Sequence, residues 1–180
     1  WASCMVSCDD ADGAVTGNTR TYAASLKKIN KVIAVRPGEI MFGLNMVVNK
    51  GKTVFIGDTS VNEHPTSEQL AEIAISSARV VRLFGFDPKV AFVSHSTFGQ
   101  PATSSTKHIR DAVEILQDKK VDFQFDGDMQ PDVALNEEYK ELYSFSGIVG
   151  NANILIMPDQ HSAAISYKMM KSLGGAKVIG

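Results

Sequence analysis

The chain has 180 residues, enough to bury a substantial core and to form one domain, or one large domain with part of another. Apolar residues make up 44% and charged residues 21%, as in a typical soluble globular protein. The net charge of −2 excludes a broad electrostatic attraction to nucleic acid or to an anionic membrane, and no apolar run is long enough to cross a bilayer. Cys4 and Cys8 have no partners at metal-binding spacing, which favours a reduced, cytoplasmic compartment.

The first part of the chain predicts a helix followed by a β-hairpin. Apolar residues recur at every third or fourth position over residues 18–33, which indicates a helix, and Arg36-Pro37-Gly38 would end it. Residues 40–48 and 53–56 have the composition of two strands. The sequence between them, Asn49-Lys50-Gly51-Lys52, is typical of a hairpin turn.

The rest of the chain alternates helices with short apolar strands. Thr66 and Gln69 form a capping box that begins a helix extending to about Phe84. The elements predicted after it are a strand at 90–93, a helix at about 105–117, a strand at 121–125, a short helix at about 132–143, a strand at 154–157, a helix capped by Asp159 and a strand at 176–179. This alternation predicts an α/β fold, a mostly parallel sheet with helices on both faces plus an antiparallel hairpin.

Polar loops follow three of the predicted strands, at residues 94–97, 126–128 and 159–161. Ligands of open α/β sheets collect outside the carboxyl ends of the strands, so we expect these loops to line one crevice. Hydroxyls and backbone N–H groups there would suit a phosphate or carbonyl oxygen. The alternative is that these Ser, Thr and Asp residues only cap loops and helices, and that His95 is an ordinary surface histidine.

Several sequence features argue against other kinds of site. Gly51-Lys52-Thr53 resembles the end of a phosphate-binding P-loop, but Met46 occupies the position of the required glycine. No glycine-rich dinucleotide fingerprint and no G-x-S-x-G elbow occurs. The histidines are far apart in sequence, so no metal site is expected; they are His64, His95, His108 and His161.

Several segments, in order along the chain, resemble the phosphotransacetylase family, also called phosphate acetyl/butyryltransferases. Residues 11–17 match its Ala-Asp-Gly-x-Val-Ser/Thr-Gly element and residues 71–78 its central helix. Residues 126–135 are similar to its Asp-Gly-Glu-x-Gln-x-Asp-Ala-Ala-Leu stretch, and residues 151–175 to its last strand–helix unit. The resemblance covers the chain from residue 11 onward. It implies the architecture shared with isocitrate and isopropylmalate dehydrogenases.

Within this family, the details resemble the C-terminal domain of the large bacterial malic enzymes. Residues 16–22 are similar to their Thr-Gly-x-Thr-Arg-x-Tyr, and residues 94–99 to their Ser-His-Ser-Asn-Phe-Gly. Stand-alone acetyltransferases usually have Ser-Phe-Ser-Thr-Lys-Gly-Ser in the second place, and an Arg-Pro pair where this chain has Lys27-Lys28.

The resemblance implies that residues 1–180 are a partial region of a longer chain, mainly the second subdomain of the family, with the end of the first subdomain at about 1–20. The catalytic Ser-Arg pair and Asp of the acetyltransferases would lie beyond Gly180. A malate-oxidising region upstream would hold the NAD(P) and the divalent metal, and this domain would hold neither. The family also implies a homodimer or higher homo-oligomer and a coenzyme A thioester, acetyl-CoA, as effector.

Three functions follow from this resemblance. The first is a regulatory and oligomerisation domain of a malic enzyme, the second a catalytic phosphate acetyltransferase, and the third a purely structural dimerisation module. No catalytic residue is assigned. The residues implied for an acetyl-CoA or phosphate crevice are Thr16, Gly17, Arg20, Lys27, Ser94, Ser96, Thr97, Asp126 and Asp159. Arg20 and Lys27 are the best-placed cations for a phosphate, although a solvated helix face explains them equally well.

Overall fold

The computed structural model describes residues 1–17 and 19–180. The chain divides into two compact units, Trp1–Glu39 and Ile40–Gly180. Asn18, which belongs to the predicted helix 18–33 and to the motif at 16–22, lies outside the described residues. Among the described residues, no helix combines the length and the apolar character that a membrane span requires. The predicted subdomain boundary at about residue 20 stays a prediction.

The first unit contains two short helices, α1 (Ala2–Ser7) and α2 (Tyr22–Ile29). Helix α2 confirms the predicted helix in a shorter form. It begins after Thr21, whose extended backbone and side chain cap it by accepting a hydrogen bond from the Ala24 N–H at 3.4 Å. Helix α1 was not predicted, because it buries no residue and therefore shows no amphipathic pattern.

The second unit is built on one sheet with helices between its strands. Over residues 40–180, all of whose backbone is described, its elements are β1 (Leu44–Asn49), β2 (Lys52–Gly57), α3 (Ser67–Leu83), β3 (Lys89–Val93), α4 (Lys107–Lys119), β4 (Gln124–Met129), α5 (Pro131–Leu135), α6 (Glu137–Lys140), β5 (Ile154–Ile156), α7 (Gln160–Ser172) and β6 (Lys177–Ile179). Single 3₁₀ turns lie at Ser104–Thr106 and Glu141–Tyr143.

The strand order in this described unit is β4-β3-β5-β2-β1-β6. The first four strands are parallel, and β1 pairs antiparallel with both β2 and β6. The predicted mostly parallel sheet with an antiparallel hairpin is therefore confirmed. Its hairpin turn is tight because Gly51 takes a positive φ of 79° that favours glycine.

Helices cover both faces of the sheet, as the sequence predicted. On one face α3 and α4 pack their apolar stripes against Phe55, Phe92 and Ile156. On the other face α5 and α7 pack against the residues of the same strands that point to that face, including Ile56 and Leu155. A strand that is apolar at consecutive positions, such as β5, is apolar because both of its faces are covered.

Two predicted elements differ from the structure. Strand β4 occupies Gln124–Met129 and not 121–125, because the chain keeps pairing with β3 through Gly127, where a Cβ would lie 2.7 Å from the Phe92 carbonyl oxygen. Asp and Gly are depleted in strands, which is why the sequence misplaced it. The helix predicted at 132–143 is broken at Asn136, whose extended backbone ends α5 and whose side chain caps α6.

Candidate functional site

The carboxyl ends of the parallel strands lie at one level of the sheet. Gly57 of β2 and Phe92 of β3 both pair with Ile156 of β5, and Val93 pairs with Met129 of β4. The polar residues that follow these strands therefore emerge along the same edge of the second unit. This edge is where open α/β sheets bind their ligands.

The loop after β3 is fixed by the buried carboxylate of Asp128. Asp128 is fully buried; its carboxylate accepts a hydrogen bond from the Ser96 hydroxyl and another from the Gly99 N–H at 3.0 Å. The Ser94 hydroxyl lies 3.4 Å from the same carboxylate, and the Arg110 guanidinium of α4 lies 3.8 Å away. One carboxylate thus holds together two strand ends, a loop and a helix.

Asp128 reaches this loop because of an irregularity in β4. The pairing of β3 and β4 shifts register between Phe92 and Val93, which pair with Gly127 and Met129 and leave Asp128 out of the ladder. An extra residue of this kind re-aims its side chain. The Asp128 carbonyl stays engaged, since it accepts a hydrogen bond from the Phe98 N–H at 2.6 Å.

The loop after β2 is organised by a second buried carboxylate, Asp58, which is 2% exposed. Its oxygens accept hydrogen bonds from backbone N–H groups on both sides of the strand end and from the Asn62 side-chain amide. The backbone donors are Gly43, Ser60, Val61 and Asn62. This carboxylate sets the path of the chain towards His64.

The loop after β5 begins the last long helix. Pro158 ends the strand, and Asp159 is the N-cap of α7, where its side chain accepts a hydrogen bond from the Ser162 N–H at 2.7 Å. The predicted capping role of Asp159 is confirmed. Because the Met157 N–H donates to the Gly57 carbonyl at 2.8 Å, this loop is tied to the end of β2.

A crevice of 520 Å³ opens among these loops. Its lining residues come from the loop before α3, the loop after β3, the start of α4 and the loop after β5: His64, Pro65, Ser94, His95, Thr106, His108, Ile109, Pro158 and Asp159. Three of them are histidines. The fourth histidine, His161, lies beside the crevice and stacks on His64 with ring centroids 6.2 Å apart.

The structure brings some of the predicted site residues of the second unit together and separates others. Ser94 and Asp159 line the crevice, while Ser96 and Thr97 are buried behind its loop. Asp126 lies elsewhere, at a separate cavity, where its carboxylate accepts hydrogen bonds from the N–H groups of Gly127 at 2.9 Å and Gly147 at 2.7 Å. Of the three loops expected to share one crevice, the loop at 94–97 contributes Ser94 and His95, the loop at 159–161 contributes Asp159, and the loop at 126–128 contributes no lining residue.

The predicted site residues of the first unit occupy its own surface. Thr16 and Arg20 line a cavity of 370 Å³ with Lys28 of α2. Gly17, beside them, has a positive φ of 130°. Lys27 is exposed on the last turn of α2 and is not among the residues that line this cavity.

Sequence reasoning missed the convergence of histidines. His64 follows β2, which was treated as one arm of a hairpin and not as a strand whose carboxyl end reaches the site. His108 falls within the helix predicted at about 105–117, but the sequence does not show that it lies on the first turn of α4, where it lines the crevice. The available signal was the strand order, because it puts β2, β5 and β3 side by side. Among the described residues, no group of three or more His, Cys, Asp or Glu side chains is arranged to hold a metal ion.

The second unit is an open α/β domain with a crevice at the carboxyl edge of its parallel strands. The chain belongs to the Phosphate acetyl/butaryl transferase family, whose pattern matches residues 1–180. The resemblance found in the short motifs is thereby confirmed.

Relatives of two kinds match the whole chain. The NADP-dependent malic enzyme of Rhizobium meliloti is 44% identical over 180 residues, which are 100% of this chain and 24% of that protein. The Phosphate acetyltransferase of Nitratidesulfovibrio vulgaris is 32% identical over 182 residues, which cover 100% of this chain and 26% of that protein. Among solved structures, a phosphotransacetylase from Streptococcus pyogenes superposes with a TM-score of 0.89 at 30% identity, over 98% of this chain and 55% of the other. The chain spans about a quarter of the length of these two curated relatives.

Proposed function

We propose that this chain is the regulatory and oligomerisation domain of a malic enzyme, and that it senses acetyl-CoA. In this proposal a separate region of the same protein oxidises and decarboxylates malate with NADP and a divalent metal, and this domain needs neither. Binding at one site would shift the activity of the other, which is allostery in the strict sense.

Sequence similarity supports the malic enzyme assignment. Identity is 44% to the malic enzyme of Rhizobium meliloti and 32% to the phosphate acetyltransferase named above, over the same length of this chain. The loop after β3 has the Ser-His-Ser pattern that the malic enzymes share, and it forms one wall of the crevice.

The observation that carries the proposal is the position of Phe98. The acetyltransferase pattern has a lysine there, and a phosphate substrate needs such a cation. Here the ring of Phe98 packs against Phe145 with centroids 4.8 Å apart and against Tyr143 at 5.4 Å. Among the described residues that line the crevice there is no Lys or Arg. The described lining of the crevice therefore lacks a permanently cationic side chain for the phosphate that acetyl transfer requires.

Self-association is the second part of the proposal. Helix α7 and its C-cap present an exposed apolar line at intervals of four residues: Ile165 and Met169 of the helix and the C-cap Leu173, which are 57%, 54% and 83% exposed. Apolar residues at such spacing form one stripe on a helix. A homodimer or higher homo-oligomer would cover part of this stripe.

A phosphate acetyltransferase is the second candidate, and the structural similarity to phosphotransacetylases favours it. Both candidates bind a coenzyme A thioester, so binding alone does not separate them. The transfer reaction does, because it releases coenzyme A from acetyl-CoA only when phosphate is present.

The test uses the full-length protein that contains this chain. We expect acetyl-CoA to bind, measured by calorimetry, and to change the rate of malate oxidation, measured by NADPH formation. A phosphate-dependent release of coenzyme A would instead support the acetyltransferase. No heat at millimolar acetyl-CoA, together with an unchanged malate rate, would contradict the regulatory proposal. Asp118→Asn, an exposed change on α4, is the control for non-specific effects.

A further inference from the structure

The crevice of the second unit collects three imidazoles from three different elements. His64 comes from the loop before α3, His95 from the loop after β3, and His108 from the first turn of α4. They are separated by many residues in sequence, and all three line the same crevice.

The hydroxyl groups of the same crevice have their hydrogens committed elsewhere. The Ser94 hydroxyl accepts from the Ser96 N–H at 2.8 Å and lies 3.0 Å from the Ser96 hydroxyl and 3.4 Å from the Asp128 carboxylate, so its hydrogen points inward. The Thr106 hydroxyl accepts from Arg110 at 2.7 Å and donates to the Thr103 carbonyl at 3.1 Å. A hydroxyl has one hydrogen to donate. The side-chain donors that these lining residues offer to a ligand are therefore the imidazoles.

The charges around the imidazoles come from every element that packs at this edge. Asp159 lines the crevice itself, and the Glu63 carboxylate lies 3.4 Å from the His161 ring and 4.0 Å from the His64 ring. Other charged groups near this edge include Asp58 after β2, Glu68 at the start of α3, the Lys107–Asp111 ion pair on α4, and the Arg110–Asp128 pair behind the loop. Carboxylates and imidazoles therefore lie together at this edge.

We propose that His64, His95 and His108 bind the phosphate groups of a coenzyme A thioester, and that this binding is coupled to proton uptake. The inference rests on the proposed function, which supplies the thioester. A protonated imidazole donates from both ring nitrogens and carries the positive charge that a phosphate requires. Histidine changes charge near neutral pH, so affinity rises as the pH falls. Each fully coupled proton changes affinity about tenfold per pH unit.

The test is calorimetry of acetyl-CoA binding to the full-length protein between pH 6 and pH 8. It is done in two buffers with different heats of ionisation, which counts the protons taken up. We expect proton uptake on binding and a dissociation constant that decreases as the pH is lowered. His95→Gln and His108→Gln keep an N–H donor and cannot become cations. We expect each variant to flatten the pH dependence and to weaken binding at pH 6 more than at pH 8.

The matched control is Lys119→Gln, which removes a positive charge at the far end of α4, where Lys119 pairs with Glu72 at 3.3 Å. Its pH dependence should match that of the unchanged protein. Binding of acetyl-CoA without proton uptake, unaffected by both His variants, overturns this inference and leaves the proposed function intact. Proton-coupled binding of inorganic phosphate without binding of acetyl-CoA overturns the proposed function and shows that the imidazoles bind free phosphate and not a thioester. The absence of any binding by either compound overturns both.

Discussion

The Ser96 hydroxyl donates a hydrogen bond to the buried carboxylate of Asp128, and this contact joins the loop after β3 to the irregular end of β4. Ser96 is itself fully buried. The contact lies directly behind Ser94, which lines the crevice. The shape of the crevice wall therefore depends on a polar network buried behind it.

Removal of this carboxylate should destabilise the fold. Asp128→Ala removes the carboxylate that accepts from Ser96 and the Gly99 N–H and that lies beside Arg110, and the loss of a buried hydrogen-bond acceptor is costly. We expect a loss of about 2–4 kcal/mol in the free energy of unfolding, measured by urea denaturation. Asp118→Ala, at an exposed position, should change stability by less than about 0.5 kcal/mol. Equal stabilities of the two variants would show that the network is dispensable.

The capping box of α3 gives a prediction about local structure. The Thr66 hydroxyl accepts from the Gln69 N–H at 3.3 Å, and the Gln69 side chain accepts from the Thr66 N–H at 2.9 Å. Thr66→Ala removes half of this box and should lower stability by about 1 kcal/mol, measured by urea denaturation. Thr66→Ser keeps the hydroxyl and should retain most of the stability. A Ser variant as unstable as the Ala variant would show that the hydrogen bond is not the cause.

The elements that could be predicted from sequence are those whose signal is local. Thr66 and Gln69 specify the start of α3 within four residues, and Asp159 specifies the start of α7. The hairpin between β1 and β2 is specified by its turn residues. Such features depend on neighbours in the chain, so a single sequence contains them.

The features that could not be predicted depend on contacts between distant residues. Asp128 leaves the ladder because of an irregularity in the pairing of β4 with β3. A single sequence does not show this pairing, so it predicts Asp126, and not Asp128, as a site residue. The three crevice histidines converge only once the strand order is known. The motif resemblance identified the family because short segments in a fixed order can be recognised in the sequence without knowing where their side chains lie in the fold.

Asp122 should make the stability of the fold decrease as the pH falls into the acid range. The hydrogen bond from Arg82, whose guanidinium lies 3.0 Å from the carboxylate, lowers the pKa of Asp122 below its ordinary value. A lowered carboxyl pKa stabilises the fold above the pKa of the unfolded chain, and this contribution disappears as the pH falls through the folded pKa. The stability difference between the unchanged protein and Asp122→Asn should therefore be largest near neutral pH and shrink below about pH 4.

The source of this effect can be measured directly. The Asp122 carboxyl titration, followed by NMR, should move to higher pH in Arg82→Gln, because that variant lacks the charged donor. An unchanged titration in Arg82→Gln would assign the lowered pKa to another cause. A stability difference for Asp122→Asn that is constant from pH 7 to pH 3 would contradict the linkage.

At position 98 we expect the glycine variant to be more stable than the alanine variant, which is the reverse of the usual order. Its φ is 49°, in the left-handed region that bulky residues rarely adopt, and its ring contacts Tyr143 and Phe145. Phe98→Ala loses these contacts and keeps the unfavourable backbone, so we expect a loss of about 2 kcal/mol. Phe98→Gly loses the same contacts but relieves the backbone, and it should be more stable than the Ala variant by about 1 kcal/mol.

The control for this comparison is Phe125 of β4, which lines the same cavity as Phe98 and is not among the described residues with positive φ. In a strand interior glycine is less stable than alanine, so Phe125→Gly should be the less stable variant of that pair. Opposite orders at the two positions, measured by urea denaturation, would show that the positive φ at residue 98 persists without the ring and is held by the rest of the loop. The same order at both positions would mean that the loop relaxes to an ordinary conformation once the ring is removed.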